Sequence, residues 1–235
     1  DVSAASRALA AEIGGHFMDQ FTYAERATDW RGNNNIAESI FEQLKLEPHP
    51  CPRWLVVSAG TGGTAATMGR YIRYQPTRNA CTRLAVVDPE RSVFFDAYRD
   101  RKRCHRLPHG SRIEGIGRPI VEASFLPETI DRMVKVPDAL SLAAMRVLAG
   151  LLGRRVGGST GTNFIGALQV MAEMKAAGET GAVVTLICDG GERYLDTYYD
   201  DAWVAAQGHD LAPHATAVAA IVRGGRFELP VDVAG

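Results

Sequence analysis

Five small residues, Gly60-Thr61-Gly62-Gly63-Thr64, follow the apolar segment Trp54-Leu-Val-Val-Ser58 after a single alanine, Ala59. Glycines let successive backbone N–H groups converge on one anion, a helix that begins there adds its dipole, and Thr61 and Thr64 supply hydroxyl donors. That combination is suited to holding a phosphate. The run lacks the Gly-Lys-Ser/Thr ending of a nucleoside-triphosphate loop. A non-catalytic phosphate-binding protein is one alternative, and the dinucleotide site of a nicotinamide-dependent oxidoreductase is the other, because Gly60, Gly62 and Ala65 fit a loose G-x-G-x-x-A pattern and Asp88 closes the next strand, where a ribose-binding acid can sit. Two features weigh against it. Gly63-Thr64 has no place in that pattern, and Asp88-Pro89-Glu90 reads as a structural turn.

Further along come three more segments with chemical content. Glu114-Gly115-Ile116-Gly117 is a tight loop, and Gly157-Gly158-Ser159-Thr160-Gly161 is a second glycine-rich turn that opens a helix. Ser159 can cap that helix or hydrogen-bond a ligand, and the two roles are compatible. Cys188-Asp189-Gly190-Gly191 lies at the end of an apolar strand, where α/β sites sit, and reads equally as a turn or a cofactor contact. The six histidines show no ligand spacing, so no metal is expected. The four cysteines are scattered without a CxxC pair, a pattern that suits reduced thiols in a cytoplasmic protein.

The elements that must position these residues alternate. Helical periodicity covers residues 3–13, 36–46, 65–74, 138–152 and 161–177, with Asn33-Asn34-Asn35 and Asp138 as caps. Apolar strands are predicted over 54–58, 83–88, 133–136 and 182–187, and a short one over His16–Phe21. Residues 94–119 read as loop, and the weakly patterned stretch after Gly208 reads as a peripheral tail. Uniformly apolar strands alternating with helices imply an α/β fold, a mostly parallel sheet with helices on both faces. With 46% hydrophobic residues, 23% charged and a net charge of −1 over 235 residues, the chain has no field suited to nucleic acid or a membrane surface. The basic run Arg101-Lys102-Arg103 reads as solvated loop, and no apolar stretch approaches the ~20 residues of a membrane helix.

Taken together, the motifs resemble the pyridoxal-phosphate enzymes of the cysteine synthase and cystathionine β-synthase family, fold type II, with the tryptophan-synthase-β-like architecture. Gly60–Thr64 is similar to the family's Gly-Thr-Gly-Gly-Thr phosphate cup, and Asp88-Pro-Glu-Arg-Ser92 to the strand end after it. Glu114–Gly117 is similar to its Glu/Gln-Gly-Ile-Gly loop, Gly157–Gly161 to the turn whose serine meets the pyridine nitrogen, and Asp189-Gly-Gly-Glu-Arg-Tyr194 to a segment near the end of cysteine synthases. The matches run in family order over residues 20–197. The resemblance implies pyridoxal 5'-phosphate as cofactor, held by Gly60, Thr61, Gly62, Gly63, Thr64, Gly115 and Ser159. It implies Gln20, Phe21, Ile116 and Arg118 at the substrate, which is L-cysteine or an O-activated L-serine undergoing β-elimination or β-replacement. The bacterial cysteine desulfhydrases are the nearest type, and a homodimer is the family's usual assembly.

One departure limits the catalytic assignment. The family's Schiff-base lysine, in an early Ser-x-Lys segment, and the loop gripping the substrate carboxylate precede the Gln-Phe pair, and neither is in this chain. The lysines are Lys45, Lys102, Lys135 and Lys175, none in such a motif. No catalytic residue is therefore assigned. Residues 1–20 are expected to be a remnant of the smaller N-terminal domain, 21–208 the large cofactor-binding domain and 209–235 the tail. Arg118-Pro119 is a second departure, a guanidinium at a position where it can recognise or exclude a carboxylate.

Overall fold

The structure is a computed structural model that describes residues 2–26, 29–31, 35–75, 81–102, 105–230 and 233; Asn33, Asn34, Arg103 and Cys104 lie outside them. In chain order the elements are α1 (Val2–Glu12), α2 (Ile36–Leu44), β1 (Trp54–Ser58), α3 (Gly63–Tyr74), β2 (Arg83–Pro89), α4 (Phe94–Arg99), β3 (Arg132–Val136), α5 (Asp138–Leu152), α6 (Gly158–Ala176), β4 (Val183–Thr185), α7 (Asp201–Ala206) and α8 (Ala212–Val222). The strands form one parallel sheet in the order β3-β2-β1-β4.

Side-chain alternation along the strands feeds two cores. Leu55, Val57, Leu84 and Val86 face α2 and α3, where Phe41, Met68 and Tyr71 are buried. Trp54, Val56, Ala85 and Val87 face the other way, onto Leu140, Ile165, Val170 and Val218 of α5, α6 and α8. Helix α6 lies so close to the sheet that a Cβ on Gly166 would come 2.2 Å from Cγ1 of Val87. This two-faced burial is why the strands are apolar throughout, and it is the architecture the alternating pattern implies.

Four local expectations give way. Residues 15–19 form no strand and 20–26 are turn, because the edge strands of the sheet are β3 and β4 and nothing pairs with this segment. Its backbone is held instead by the buried Ser124 hydroxyl, which donates to the Phe21 and Thr22 carbonyls at 3.0 Å and accepts from the Glu25 N–H at 3.2 Å. Within the expected loop of 94–119, α4 forms because Phe94, Phe95 and Ala97 find the core and the Phe95 N–H reaches Asp88 at 2.8 Å. Cys51 and Cys81, read as separate thiols, are joined by a disulfide. The register that sets Trp54 opposite Arg83 brings together two loops 30 residues apart, a proximity invisible in sequence spacing. After Gly208 the chain forms α8, which buries His214, Val218 and Ile221.

Candidate active site

Strand β1 ends at Ser58, and the glycine loop runs from it into the N-terminus of α3. The loop is gripped from both sides. A Cβ on Gly60 would stand 2.4 Å from the Gly115 carbonyl oxygen, and the Gly117 N–H donates to the Ala59 carbonyl at 2.8 Å. Gly62 has φ +95°, and a Cβ there would meet Cα of Phe125 and the Ser124 oxygen at 2.7 Å. Only glycine accepts both the left-handed backbone and that contact. The N–H groups of the first turn of α3, from Gly63 to Ala65, have no acceptor within the helix.

The loop lies between two adjoining cavities. The inner one, of about 270 Å³, is walled by Val57, Ser58, Gly60, Thr64, Ser159, Asn163, Cys188, Asp189 and Tyr194, among others. The outer one, of about 630 Å³, is walled by Phe21, Gly60 to Thr64, the Gly115–Gly117 loop and Arg118. They share Ser58, Gly60, Thr64, Glu114, Gly115 and Ile116. Their place is the C-terminal ends of β1 and β4, where α3 leaves on one face of the sheet and α6 arrives on the other, the switch point at which open α/β sheets bind ligands.

Polar groups in the inner cavity are only partly satisfied. Ser159, buried in the first turn of α6, has a hydroxyl with no partner among the described residues. One turn further on the same helix face, buried Asn163 donates from Nδ2 to the Leu186 carbonyl at 3.2 Å and to Cys188 Sγ at 3.5 Å, while its Oδ1 is unmet. Asp189 accepts from the Tyr194 hydroxyl at 2.6 Å through Oδ2 and leaves Oδ1 unmet. Burial, and then that carboxylate, push the Tyr194 phenol up, so it stays a donor. Helix α6 itself docks here by a hydrogen bond from the Gly157 N–H to the Asp189 carbonyl at 3.1 Å.

Most residues expected at the site meet here. Gly60, Thr61, Gly62, Gly63, Thr64, Gly115, Ile116, Phe21 and Arg118 line the outer cavity, and Ser159 lines the inner one. Gln20 is exposed and lines neither. Arg118 is less free than its position suggested. Its Nε donates to the buried Glu122 at 2.7 Å, and its guanidinium stacks 4.6 Å above the Phe21 ring. Asn163 was missed from sequence, although its spacing of four from Ser159 on a helix puts both on one face. None of the four lysines lines either cavity: Lys45 pairs with Glu42, Lys135 with Asp96 at 3.1 Å, and Lys102 and Lys175 are exposed.

Asp88, the acid a dinucleotide site needs, is fully buried at the end of β2 and accepts from the Phe95 N–H. Burial pushes its carboxyl up to about 7, against hydrogen bonds from Ser92 and Phe95. It caps α4 and is closed to a ribose. What the cavities offer is an anion cradle beside a neutral hydroxyl and buried amide and carboxyl acceptors. That donor set fits a phosphorylated aromatic aldehyde such as pyridoxal phosphate: backbone N–H and threonine hydroxyls for the phosphate, Ser159 for the ring nitrogen.

The chain belongs to the family of pyridoxal-phosphate-dependent enzymes, whose sequence profile matches residues 1–189. Within it, the chain is 59% identical over 226 residues to the L-cysteine desulfhydrase Cds1 of Mycobacterium tuberculosis (strain ATCC 25177 / H37Ra), covering 96% of this chain and 61% of that protein. It is 29% identical to cysteine synthase 2 of Emericella nidulans, over 79% of this chain and 43% of that one. The hydrogen sulfide-producing enzyme Fn1055 of Fusobacterium nucleatum shares the fold with a TM-score of 0.67 at 23% identity, over 84% of this chain and 55% of that one. The chain thus spans about 43–61% of the length of these proteins. Among the described residues, no helix is long and apolar enough to cross a membrane.

Proposed function

We propose that this chain carries the cofactor and substrate cavities of an enzyme that eliminates or replaces the β-substituent of L-cysteine or an O-activated L-serine. L-cysteine desulfhydration is the leading case, and cysteine synthesis is its close alternative. The observation that carries the reading is the joining of the glycine cradle and buried Ser159 by one continuous cleft at the switch point. Similarity to a desulfhydrase over nearly the whole chain supports the choice of substrate.

When bound, pyridoxal phosphate supplies an electron sink that acidifies the substrate's α-hydrogen. The protein's part is positioning. N–H groups of Gly60 to Thr64 and the hydroxyls of Thr61 and Thr64 hold the phosphate. Ser159 meets the ring nitrogen with a neutral hydroxyl, which moderates the sink and favours elimination at the β-carbon over deeper carbanion chemistry. Gly60, having no Cβ, lets the Gly115 carbonyl pass close over it, Gly115 itself turns the loop at φ +84°, and Ile116 and Phe21 form an apolar border to the outer cavity. Gln20, exposed beside Phe21 and outside both cavities, has only its motif to support a role at the substrate carboxylate. Arg118, already paired with Glu122, acts there as a steric and partly neutralised wall. The proposal includes assembly as a homodimer in the cytoplasm, which light scattering and fractionation test.

The test uses the protein as it occurs in the cell. With pyridoxal phosphate and L-cysteine it should release sulfide and pyruvate in equal amounts, and with O-acetylserine and sulfide it should make cysteine more slowly. No pyridoxal phosphate binding, together with tight nicotinamide binding, sinks the proposal.

A further inference from the structure

Cys188, three residues beyond the end of β4, is a free, exposed thiol that also forms part of the inner cavity wall. Its backbone is fixed, the N–H donating to Thr160 Oγ1 at 3.0 Å. Behind it stands Asn163, 0% exposed, with Nδ2 on Cys188 Sγ at 3.5 Å and on the Leu186 carbonyl, and with Oδ1 unmet. A desolvated amide oxygen without a donor is unfavourable, and a ligand that brings an N–H relieves it. A reachable sulfur beside an unmet acceptor is complementary to an aminothiol, which offers sulfur to bond and an ammonium to donate.

We infer that Cys188 and Asn163 form a modification site for small amino-acid disulfides, cystine being the simplest. The deprotonated Cys188 sulfur attacks one sulfur of cystine, a new S–S bond forms to Cys188, and the old S–S bond breaks. The other half leaves as cysteine, taking a proton from water. Cystine is itself the oxidant. The half-cystine occupies the cavity of about 270 Å³ that holds the cofactor ring in the proposed function, so modification and cofactor binding exclude each other. That exclusion rests on the proposed function; the modification itself does not.

The chain is treated with cystine and, separately, with hydroxyethyl disulfide, which has no ammonium, and peptide mass mapping locates the modified cysteine. Rates are taken relative to a blocked cysteine under the same conditions. Cys188 should carry the half-cystine, with a preference for cystine about tenfold above that of the reference thiol, and Asn163→Ala should abolish the preference. Should that variant fail to fold, the ratio in the parent chain decides by itself. Equal ratios, or modification confined to other cysteines, overturn the inference. Pyridoxal phosphate at about ten times its dissociation constant should slow the Cys188 reaction about tenfold, the unbound fraction left by mass action. A cystine preference without that protection leaves the modification site standing and sinks the cofactor reading of the cavity.

Discussion

At Gly157 a side chain has no room, since its Cβ would stand 1.8 Å from Asp189 Oδ1. Gly157→Ala must therefore push the Asp189 carboxylate off Tyr194 and shift the first turn of α6, where Ser159 sits. The expected result is a loss of pyridoxal phosphate affinity of at least about tenfold, read by cofactor fluorescence, because hydrogen bonds to the ring and phosphate cannot both be kept. Ser159→Ala leaves the fold intact and weakens the same binding by only several-fold. The glycines were legible because close approach needs them. Asp189 was not, because a carboxylate that ends a strand looks like any polar turn until its partner Tyr194 is placed. Asp88 gives a pH prediction. Its carboxyl has a usual value of 3.8 and a folded value of about 7, so the native state binds the extra proton between them. The contribution is full at acid pH and disappears as pH rises through about 7. Asp88→Asn should accordingly become relatively more stable than the parent as pH is raised from 4 to 8, read as the difference in thermal midpoints. A constant difference across that range would contradict the burial of an ionisable Asp88.

Helix α6 is the element that ties the site to the sheet. It crosses β1 and β2 at Gly166 and carries Ser159 and Asn163 at its N-terminal end. Gly166→Val forces methyl groups into Val87 and Val56, and overpacking of this kind costs about 1–3 kcal/mol. Urea unfolding should show that loss, and cofactor affinity should fall with it because the helix is displaced. Element boundaries followed local rules at α2, which starts where Asn35 accepts the Glu38 N–H at 2.9 Å. Helix α5 runs over the predicted residues, but Asp138 is not its cap: it is the first helical residue after Pro137, and both its carboxyl oxygens are unmet. Expectation failed where tertiary contacts took over. The segment around Phe21 has strand-like residues and no strand to pair with, whereas α4 and α8 have weak patterns and an apolar surface to dock on.

Across the whole molecule the cleft joins the glycine loop, the Ser159 hydroxyl and the cavity bordered by Phe21 and Arg118, and among the described residues no lysine lines it. Pyridoxal phosphate added in less than equimolar amount to the 235-residue chain should bind and keep the spectrum of its free aldehyde. A lysine-adduct band that borohydride fixes onto Lys45, Lys102, Lys135 or Lys175 with one-to-one stoichiometry would contradict the placement of those lysines outside the cleft. Sequence by itself determined the glycine loop, the parallel α/β plan and the family, since each rests on short segments whose residue types have few alternative uses: glycines where backbones nearly touch, and apolar runs where both faces of a strand are covered. Only the tertiary structure decided which groups share a cavity. It set Asn163 against Cys188, closed Asp88 inside the fold, turned Arg118 toward Glu122 and brought Cys51 to Cys81. Those pairings join residues distant in the chain, or aim one side chain among several possible partners, and only packing of the whole sheet and its helices selects one.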